Sequence, residues 1–114
     1  MGILKYHLHL SSQRSPKPPQ IFLAQIGELP KRKSLKIFEE FRKNKIKLAE
    51  TFHKDSLTYQ LKIADRLAVK FVLILGQKEA LEEKIIIREM KSGKQKIIPI
   101  KNVIREMKRR LKKN

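Results

Sequence analysis

The segment Phe71-Val72-Leu73-Ile74-Leu75-Gly76 is the strongest indication of the fold in this sequence. It is an unbroken apolar run that stops abruptly at the polar segment Gln77-Lys78-Glu79. The run is too short to cross a membrane and has no polar alternation, so it predicts a strand buried on both faces. Such strands belong to parallel sheets covered by helices, whose ligands bind outside the carboxyl ends of the strands. We therefore expect a binding site just beyond Gly76.

The chain as a whole is strongly basic. Its 114 residues carry 28 Lys and Arg against 11 Asp and Glu, a formal net charge of +17. This charge predicts an anionic partner, with nucleic acid or ribosomal surroundings favoured over an acidic membrane. A Lys-rich soluble protein without such a partner is the alternative. The absence of Cys excludes disulfides and thiolate metal sites, and no apolar run approaches the ~20 residues of a membrane helix.

The chain divides into a flexible tail, residues 1–19, and one folded domain, residues 20–114. The segment Ser11–Pro19 is rich in Ser and Pro and predicts an extended linker. The weakly alternating residues before it include His7 and His9, whose spacing would suit one shared ligand, but a solvated tail is the favoured interpretation. The lack of acidic residues in the first 27 positions is typical of a transit peptide, and the prolines argue against one.

Within the domain, strand and helix patterns alternate. The predicted strands are Gln20–Ile26, Ile46–Thr51, Phe71–Gly76, Lys84–Met90 and Gln95–Ile100. The predicted helices begin at Glu28, at the N-cap pair Asp55-Ser56, at Gln77 for a short turn ending at Glu83, and after Lys101. Asn44 is expected to end the first helix in a left-handed conformation. This order predicts an α/β domain of three layers, with helices flanking a mixed five-stranded sheet.

The first helix opens with the triplet Lys31-Arg32-Lys33. Cations in a first helical turn oppose the helix dipole, at a cost of some tenths of a kcal/mol each. Local stability therefore does not select them, whereas phosphate binding by these side chains and the free N–H groups of the helix end would. A solvated Lys-rich turn is the alternative interpretation.

No catalytic pattern is present in the sequence. The phosphate-binding, dinucleotide-binding, zinc-protease and nucleophile-elbow motifs are all missing. Glu39-Glu40 and Glu82-Glu83 are adjacent pairs, whose side chains diverge on a helix. His53 could serve as a lone acid or base, although a surface loop histidine is the simpler interpretation. We expect a binding protein without metal or cofactor.

Three segments together resemble a known family: IFLAQIGE, KRKSLKIFEEFRKNKIKLAE, and DSLTYQLKIADRLAVKFVLILGQKE with the hairpin and helix after it. Over Pro19 to Leu111 the chain resembles the C-terminal anticodon-binding domain of the histidyl-tRNA synthetases, a branch of the class II aminoacyl-tRNA synthetases. The stretches Leu61–Asp65 and Ile74–Glu79 are its most specific part. The threonyl, prolyl and glycyl synthetases share this domain type and remain an alternative.

The resemblance implies a chain that binds tRNA but does not aminoacylate by itself. ATP, histidine and magnesium are implied only for a full enzyme, in which a class II catalytic domain acts, normally as a homodimer in the cytoplasm. The implied partner of this domain is the anticodon stem-loop of histidine tRNA, with no membrane involved.

The resemblance and the strand positions also nominate individual contacts with tRNA. Gln25 and Glu28 are candidate base-edge readers, because unstacked loop bases are recognised by hydrogen bonds and stacking. The other candidates are the phosphate contacts Lys31, Arg32 and Lys33, the helix residue Lys62, and the strand-end residues Gln77 and Arg88. A plain helix-start carboxylate for Glu28 and a solvated helix face for Lys62 are the alternatives.

Three other functions fit the same features. The domain could be a regulatory module that senses uncharged tRNA or mediates dimerisation, as in translation-stress kinases. It could be a basic protein that binds structured RNA without anticodon choice, or one piece of a split ligase. A reading frame next to the gene, kinase-like or class II catalytic, would separate these hypotheses.

Overall fold

The structure is a computed structural model that describes residues 8–10, 18–51 and 56–112. A 3-10 turn over Ile100–Asn102 precedes its last helix. In chain order the elements are β1 (Leu8–Leu10), β2 (Ile21–Gln25), α1 (Glu28–Lys43), β3 (Leu48–Thr51), α2 (Leu57–Arg66), β4 (Phe71–Leu75), α3 (Gln77–Leu81), β5 (Lys84–Glu89), β6 (Gln95–Pro99) and α4 (Val103–Lys112).

All strands join one mixed sheet in the order β1-β3-β2-β4-β5-β6. The central strands β3, β2 and β4 are parallel, and β1, β5 and β6 pair with their neighbours antiparallel. The five predicted strands and the mixed α/β sheet are confirmed. A short sixth strand, β1, is added at the edge from the segment predicted as a tail, because Leu8–Leu10 pair with Ala49–Thr51. The domain boundary after Pro19 stays a prediction.

Alternate residues of the central strands fill two separate cores. Ile21 and Leu23 of β2 pack with α1 and α4, whereas Phe22 and Ala24 pack with α2 on the other face. These four side chains are fully buried. Because a strand sends successive side chains to opposite faces, burial on both faces requires a helix layer on each side. The predicted three layers are therefore confirmed.

The apolar run that ends at Gly76 forms β4 (Phe71–Leu75), in the middle of the sheet. All five of its residues are buried, and it pairs with β2 on one side and β5 on the other. At about 25 cal/mol per Å² of apolar area removed from water, such a strand contributes several kcal/mol to folding. Its side chains alternate between the two cores, so both of its faces are covered, which explains why no polar residue interrupts it.

The helix ends follow the expected capping chemistry with one exception. Ser56 caps α2, and its hydroxyl accepts the Tyr59 N–H at 3.2 Å. The left-handed residue that ends α1 is Lys45 (φ 58°), so the prediction for Asn44 (φ −93°) is wrong. Ile46 N–H donates to Phe41 O and Lys45 N–H to Arg42 O, both at 3.0 Å, the pattern of a Schellman motif one residue beyond the expected one.

The sheet has two ends with different neighbours. We call the end where β2, β3 and β4 finish the carboxyl edge, and the end where they begin the amino edge. The N-termini of α1, α2 and α3 lie at the carboxyl edge, and the C-termini of α1, α2 and α4 lie at the amino edge together with the β5–β6 turn. Within the described ranges, no helix is long and apolar enough to span a membrane.

Candidate nucleic-acid interface

Two loops leave the carboxyl edge side by side. Gln25 and Leu75 are partners at the ends of the parallel strands β2 and β4, and the Ile26 N–H donates to the Leu75 carbonyl at 3.2 Å. The β2–α1 and β4–α3 loops therefore start next to each other. In this geometry groups from two separate segments can face one ligand, as at the carboxyl ends of other parallel sheets.

Gly27 allows these two loops to approach closely. Its φ of 116° lies in a region that side chains other than glycine rarely adopt. A Cβ atom at this position would also lie 2.6 Å from Oε1 of Gln77. The first residue of α3 thus packs over the turn that precedes Glu28. The structure brings the predicted residues Gln77 and Glu28 into one patch.

The N-terminus of α1 carries no side-chain cap. Gly27 occupies the N-cap position, Pro30 in the first turn has no N–H, and Glu28 is the only acidic residue of that turn. Lys31 and Arg32 are exposed. An uncapped end of a helix of this length presents a partial positive charge, so the exposed cations and the helix end can attract the same anion.

Lys33 is already engaged within the protein. Its ammonium group forms an ion pair with Glu83, the residue before β5. Lys33 and Glu83 line a groove of about 440 Å³ between α1 and the start of α4, together with Ile37 and Val103. Lys33 therefore faces away from Lys31, and its predicted role as a phosphate contact would require the exchange of one anion for another.

A buried polar network lies directly beneath the patch. Oε1 of Gln60 accepts the Gln25 N–H at 3.0 Å, and Nε2 of Gln60 donates to the Gln25 carbonyl at 2.9 Å. The register between β2 and β3 extends only to Phe22 and Ala49. The amide of Gln60 thus supplies the backbone partners that β3 no longer provides, and it ties α2 to the end of β2.

The side chain of Gln25 completes this network. Its Nε2 donates to Ser34 Oγ at 2.7 Å and to Glu50 Oε1 at 3.1 Å, while Ser34 Oγ donates to the Lys31 carbonyl at 2.7 Å. Gln25 is 1% exposed, so it does not present its amide at the surface as the predicted base-edge role requires. Its Oε1 has no hydrogen-bond partner among the described residues.

Helix α2 adds exposed side chains beside the patch. Lys62 is exposed, as predicted. Tyr59, three residues earlier, is 38% exposed in the half of α2 that lies nearest the carboxyl edge. An exposed aromatic ring provides a stacking surface for an unpaired base. The sequence analysis did not single out Tyr59 as a candidate. Gln60, also missed, carries no signal that distinguishes a buried glutamine from an exposed one.

Arg88 lies apart from the other candidates. It is paired with Val72 of β4 and Gln95 of β6, at the amino edge. Because β5 runs antiparallel to β4, the end of β5 lies where β4 begins. Arg88 was predicted from its position at a strand end, and the direction of the strand places it outside the patch.

The described residues contain no arrangement typical of catalysis. Within residues 8–10, 18–51 and 56–112 there is no group of three His, Asp or Glu that could hold a metal ion. The pKa values of Glu39 and Glu106 are lowered by hydrogen bonds from nearby arginines, on α1 and α4 and outside the patch. The predictions for His7 and His53 lie outside the described residues, as does the side chain of His9.

The comparison with known families matches most of the chain. A family described as "Anticodon binding domain" matches residues 20–110. The histidine–tRNA ligase of Dehalococcoides mccartyi strain CBDB1 is 34% identical over 114 residues, covering 96% of this chain and 27% of the ligase. That of Geobacillus sp. strain WCH70 is 37% identical over 90 residues, covering 79% of this chain and 21% of the ligase. The chain thus spans about a quarter of the length of these relatives.

Solved structures agree with this match. Histidyl-tRNA synthetase from Nostoc sp. PCC 7120 aligns with a TM-score of 0.76 and 27% identity over 84% of this chain and 23% of that one. A threonyl-tRNA synthetase RNA-binding domain from Cryptosporidium parvum aligns with a TM-score of 0.70 at 16% identity over 78% of this chain and 22% of that one, a likeness of fold alone. The chain belongs to the anticodon-binding domain family, in the form found in histidyl-tRNA synthetases.

Proposed function

We propose that this domain binds the anticodon loop of histidine tRNA at the carboxyl edge and performs no chemistry itself. The observation that carries the proposal is the close approach of Gln77 to Gly27, which joins two loops into one patch at the uncapped start of α1. The choice of histidine tRNA as the ligand is supported by the relatives named above, which are histidine–tRNA ligases. In the whole protein we propose a class II catalytic domain, a homodimer and a cytoplasmic location, as for a histidine–tRNA ligase.

The residues of the patch divide into two roles. Glu28 is exposed and acidic, so its carboxylate would accept hydrogen bonds from the Watson–Crick edge of a guanine, and Gln77 would add a neutral amide beside it. Lys31 and Arg32 would bind the phosphates of the loop, with Lys62 on the neighbouring helix. Phosphate contacts provide affinity that falls with salt, whereas base contacts discriminate between sequences.

Gln25 takes a supporting role in this proposal. Its buried amide links Ser34 of α1 to Glu50 of β3, and its backbone holds Gln60 of α2. These bonds fix the two helices that carry the exposed candidates. Lys33 is a secondary phosphate contact, available when its ion pair with Glu83 opens.

Binding to anticodon stem-loops tests the proposal. The histidine stem-loop with anticodon GUG and two loops with changed anticodons would be titrated by fluorescence anisotropy at two salt concentrations. We expect the wild-type protein to prefer GUG, and Glu28→Ala to lose about 1–3 kcal/mol of that preference, the size of one base contact in a duplex. Lys31→Ala should weaken all three loops alike.

Glu40→Ala is the matched control. It removes another exposed carboxylate from α1, twelve residues further along and therefore about 18 Å from Glu28. It should leave the preference for GUG unchanged. If Glu28→Ala and Glu40→Ala discriminate between the anticodons as the wild-type protein does, Glu28 is not a base reader. If the wild-type protein binds all three loops equally, the proposed anticodon recognition is wrong.

A further inference from the structure

The amino edge combines cations from the sheet and from the helix layer formed by α1 and α4. The helix ends of α1 and α4 meet there: Arg110 lies 5.6 Å from the ring centroid of Phe71, and Ile46 shares a surface groove with Leu111. The β5–β6 turn lies beside them, where Arg110 also lines a shallow groove with Lys94. Residues that are distant in sequence thus form one surface.

Six exposed lysines define this surface, which we call the basic edge: Lys45, Lys70, Lys91, Lys94, Lys108 and Lys112. They come from the turn after α1, the start of β4, the β5–β6 turn and α4. No ion pair found within residues 18–51 and 56–112 includes any of them. Of the described acidic residues near this end, Glu39 and Glu106 are paired with arginines, and Glu89 accepts a hydrogen bond from Ser92. Glu40 and Asp65 lie near the ends of α1 and α2.

Helix dipoles account for only part of the basic edge. Lys108 and Lys112 lie in the second half of α4, where cations complement the negative end of a helix. Lys70, Lys91 and Lys94 lie outside helices, so this explanation does not apply to them. Like charges on one surface repel one another and oppose compaction. The concentration of unpaired lysines therefore indicates a ligand.

The carboxyl edge shows that the domain is not evenly basic. There, acidic residues alternate with the lysines: Glu79, Glu82 and Glu83 surround Lys78 and Lys84, and Lys33 is paired with Glu83. A chain that was Lys-rich for compositional reasons alone would show the same mixture at both ends. The excess of positive charge is concentrated at the end opposite the proposed anticodon site.

We propose that the basic edge binds the sugar–phosphate backbone of helical RNA without reading its sequence. Among residues 18–51 and 56–112, the exposed large apolar side chains, Ile26, Leu35, Tyr59, Leu81 and Ile97, all lie outside the basic edge. Ile46 and Leu111 at this edge are only partly exposed and pack against the core. A protein interface is built around a buried apolar core, and a membrane-surface site needs apolar groups to insert. A phosphate backbone requires only cations, so charge without apolar anchors fits RNA best.

The basic edge is a second RNA contact, separate from the proposed anticodon site. Strands of five residues set the two edges of the sheet about 17 Å apart. One unpaired loop base cannot reach both. The basic edge therefore binds either the helical part of the same RNA or another RNA molecule, and this inference goes beyond the proposed anticodon recognition and does not depend on it.

A blunt duplex RNA of random sequence, which has no loop, is the probe. Its affinity would be measured by anisotropy between 50 and 400 mM KCl for the wild-type protein and for Lys70→Gln/Lys91→Gln/Lys94→Gln. Each phosphate contact that is lost reduces the slope of log affinity against log salt by roughly 0.7–0.9. We expect the triple variant to lose about two units of slope and roughly tenfold or more in affinity at 100 mM salt.

Lys36→Gln/Lys84→Gln/Lys101→Gln is the matched control. It removes the same charge from exposed lysines that belong neither to the basic edge nor to the proposed base and phosphate contacts, and it should change duplex affinity less than threefold. Equal losses in the two triple variants would overturn the basic edge, because net charge alone would then explain binding. Displacement of the duplex by polyglutamate at equal charge concentration would overturn the assignment to a sugar–phosphate backbone.

The outcomes for the two sites are distinguishable. If Glu28→Ala keeps the anticodon preference while the Lys70, Lys91 and Lys94 variant loses the duplex, only the anticodon proposal falls. If the triple variant and its control bind the duplex equally while Glu28→Ala relaxes the anticodon preference, only the basic edge falls. Thermal unfolding of each variant would verify that these surface changes leave the fold intact.

Discussion

The two ends of the sheet differ in how their polar and charged side chains are held. At the carboxyl edge the groups are fixed: Gln25 and Gln60 form a buried hydrogen-bonded network, and Lys33 is paired with Glu83. At the amino edge, exposed lysines such as Lys70 and Lys91 stand on turns and strand ends, and the ion pairs of the described residues do not include them.

Rigid polar groups suit discrimination, because a wrong partner leaves buried groups unpaired. Exposed cations suit affinity without selection. A basic net charge therefore does not locate the site that reads a sequence. In this domain the predicted readers lie where acidic residues accompany the cations, and the larger excess of positive charge lies at the other end.

The network at the carboxyl edge gives the largest expected effect. Gln60→Leu would leave the buried N–H and carbonyl of Gln25 without their partners, at about 1–3 kcal/mol for each group, so we expect a loss of about 2–6 kcal/mol in the free energy of unfolding. Urea denaturation measures it. Thr58→Leu, exposed on the same helix, should change stability by less than about 0.5 kcal/mol. Equal effects of the two leucines would show that the network does not stabilise this edge.

Substitution of Gly27 should have the second-largest effect on stability. With φ 116° and ψ 164°, this residue lies in a region that is essentially restricted to glycine, so Gly27→Ala should cost about 1–3 kcal/mol. The contact with Gln77 adds a steric part. Gln77→Ala in the same chain should recover only that part, because it removes the clash and leaves the backbone strain. Full recovery in the double variant would mean that φ is not the cause.

The architecture could be predicted because its signals are local. The apolar run predicts β4, and Ser56 predicts the start of α2. The alternation of helix and strand patterns predicts the layers. The short strand β1 was missed because a three-residue edge strand gains its stability from the backbone of β3 and not from its own pattern.

The candidate site was only partly predictable. Glu28 and Gln77 follow from strand ends, which a sequence marks clearly. Burial of Gln25 depends on Gln60, 35 positions away, and no local pattern links the two. Arg88 lies at the amino edge, which the sequence could not show because a strand end gives no direction until the pairing of β5 with β4 is known. The basic edge combines segments that are distant in sequence, so only the topology reveals it.

Substitution of Lys45 should have opposite effects on stability and on RNA binding. It adopts φ 58° in the Schellman motif of α1, where glycine is the favoured residue. Lys45→Gly should therefore stabilise the fold by about 0.5–1 kcal/mol, since it removes left-handed strain at some cost in chain entropy. It should also weaken binding to the duplex RNA. Thermal unfolding and anisotropy measure the two effects.

Ala68 provides the control for this prediction. It has φ 56° at the equivalent position after α2, and its side chain carries no charge. Ala68→Gly should stabilise the fold by a similar amount and leave RNA affinity unchanged. A loss of RNA affinity in both glycine variants would contradict a direct role of the Lys45 ammonium group.

The smallest effect concerns Glu106, whose pKa is lowered from 4.5 to about 2 by hydrogen bonds from Arg109 and then Arg110. Because the folded value is the lower one, the carboxylate stabilises the fold above about pH 4.5, and this contribution is lost as the pH falls toward 2. Glu106→Gln does not titrate. It should be less stable by about 0.5 kcal/mol at neutral pH, as is typical of a partly exposed ion pair. The gap in melting temperature between the wild-type protein and the variant should close between pH 4.5 and 2.

Glu106→Gln also frees Arg109 beside the basic edge and should bind duplex RNA slightly more tightly. A gap that stays constant with pH, or weaker duplex binding, would show that Glu106 does not restrain the charge at the amino edge.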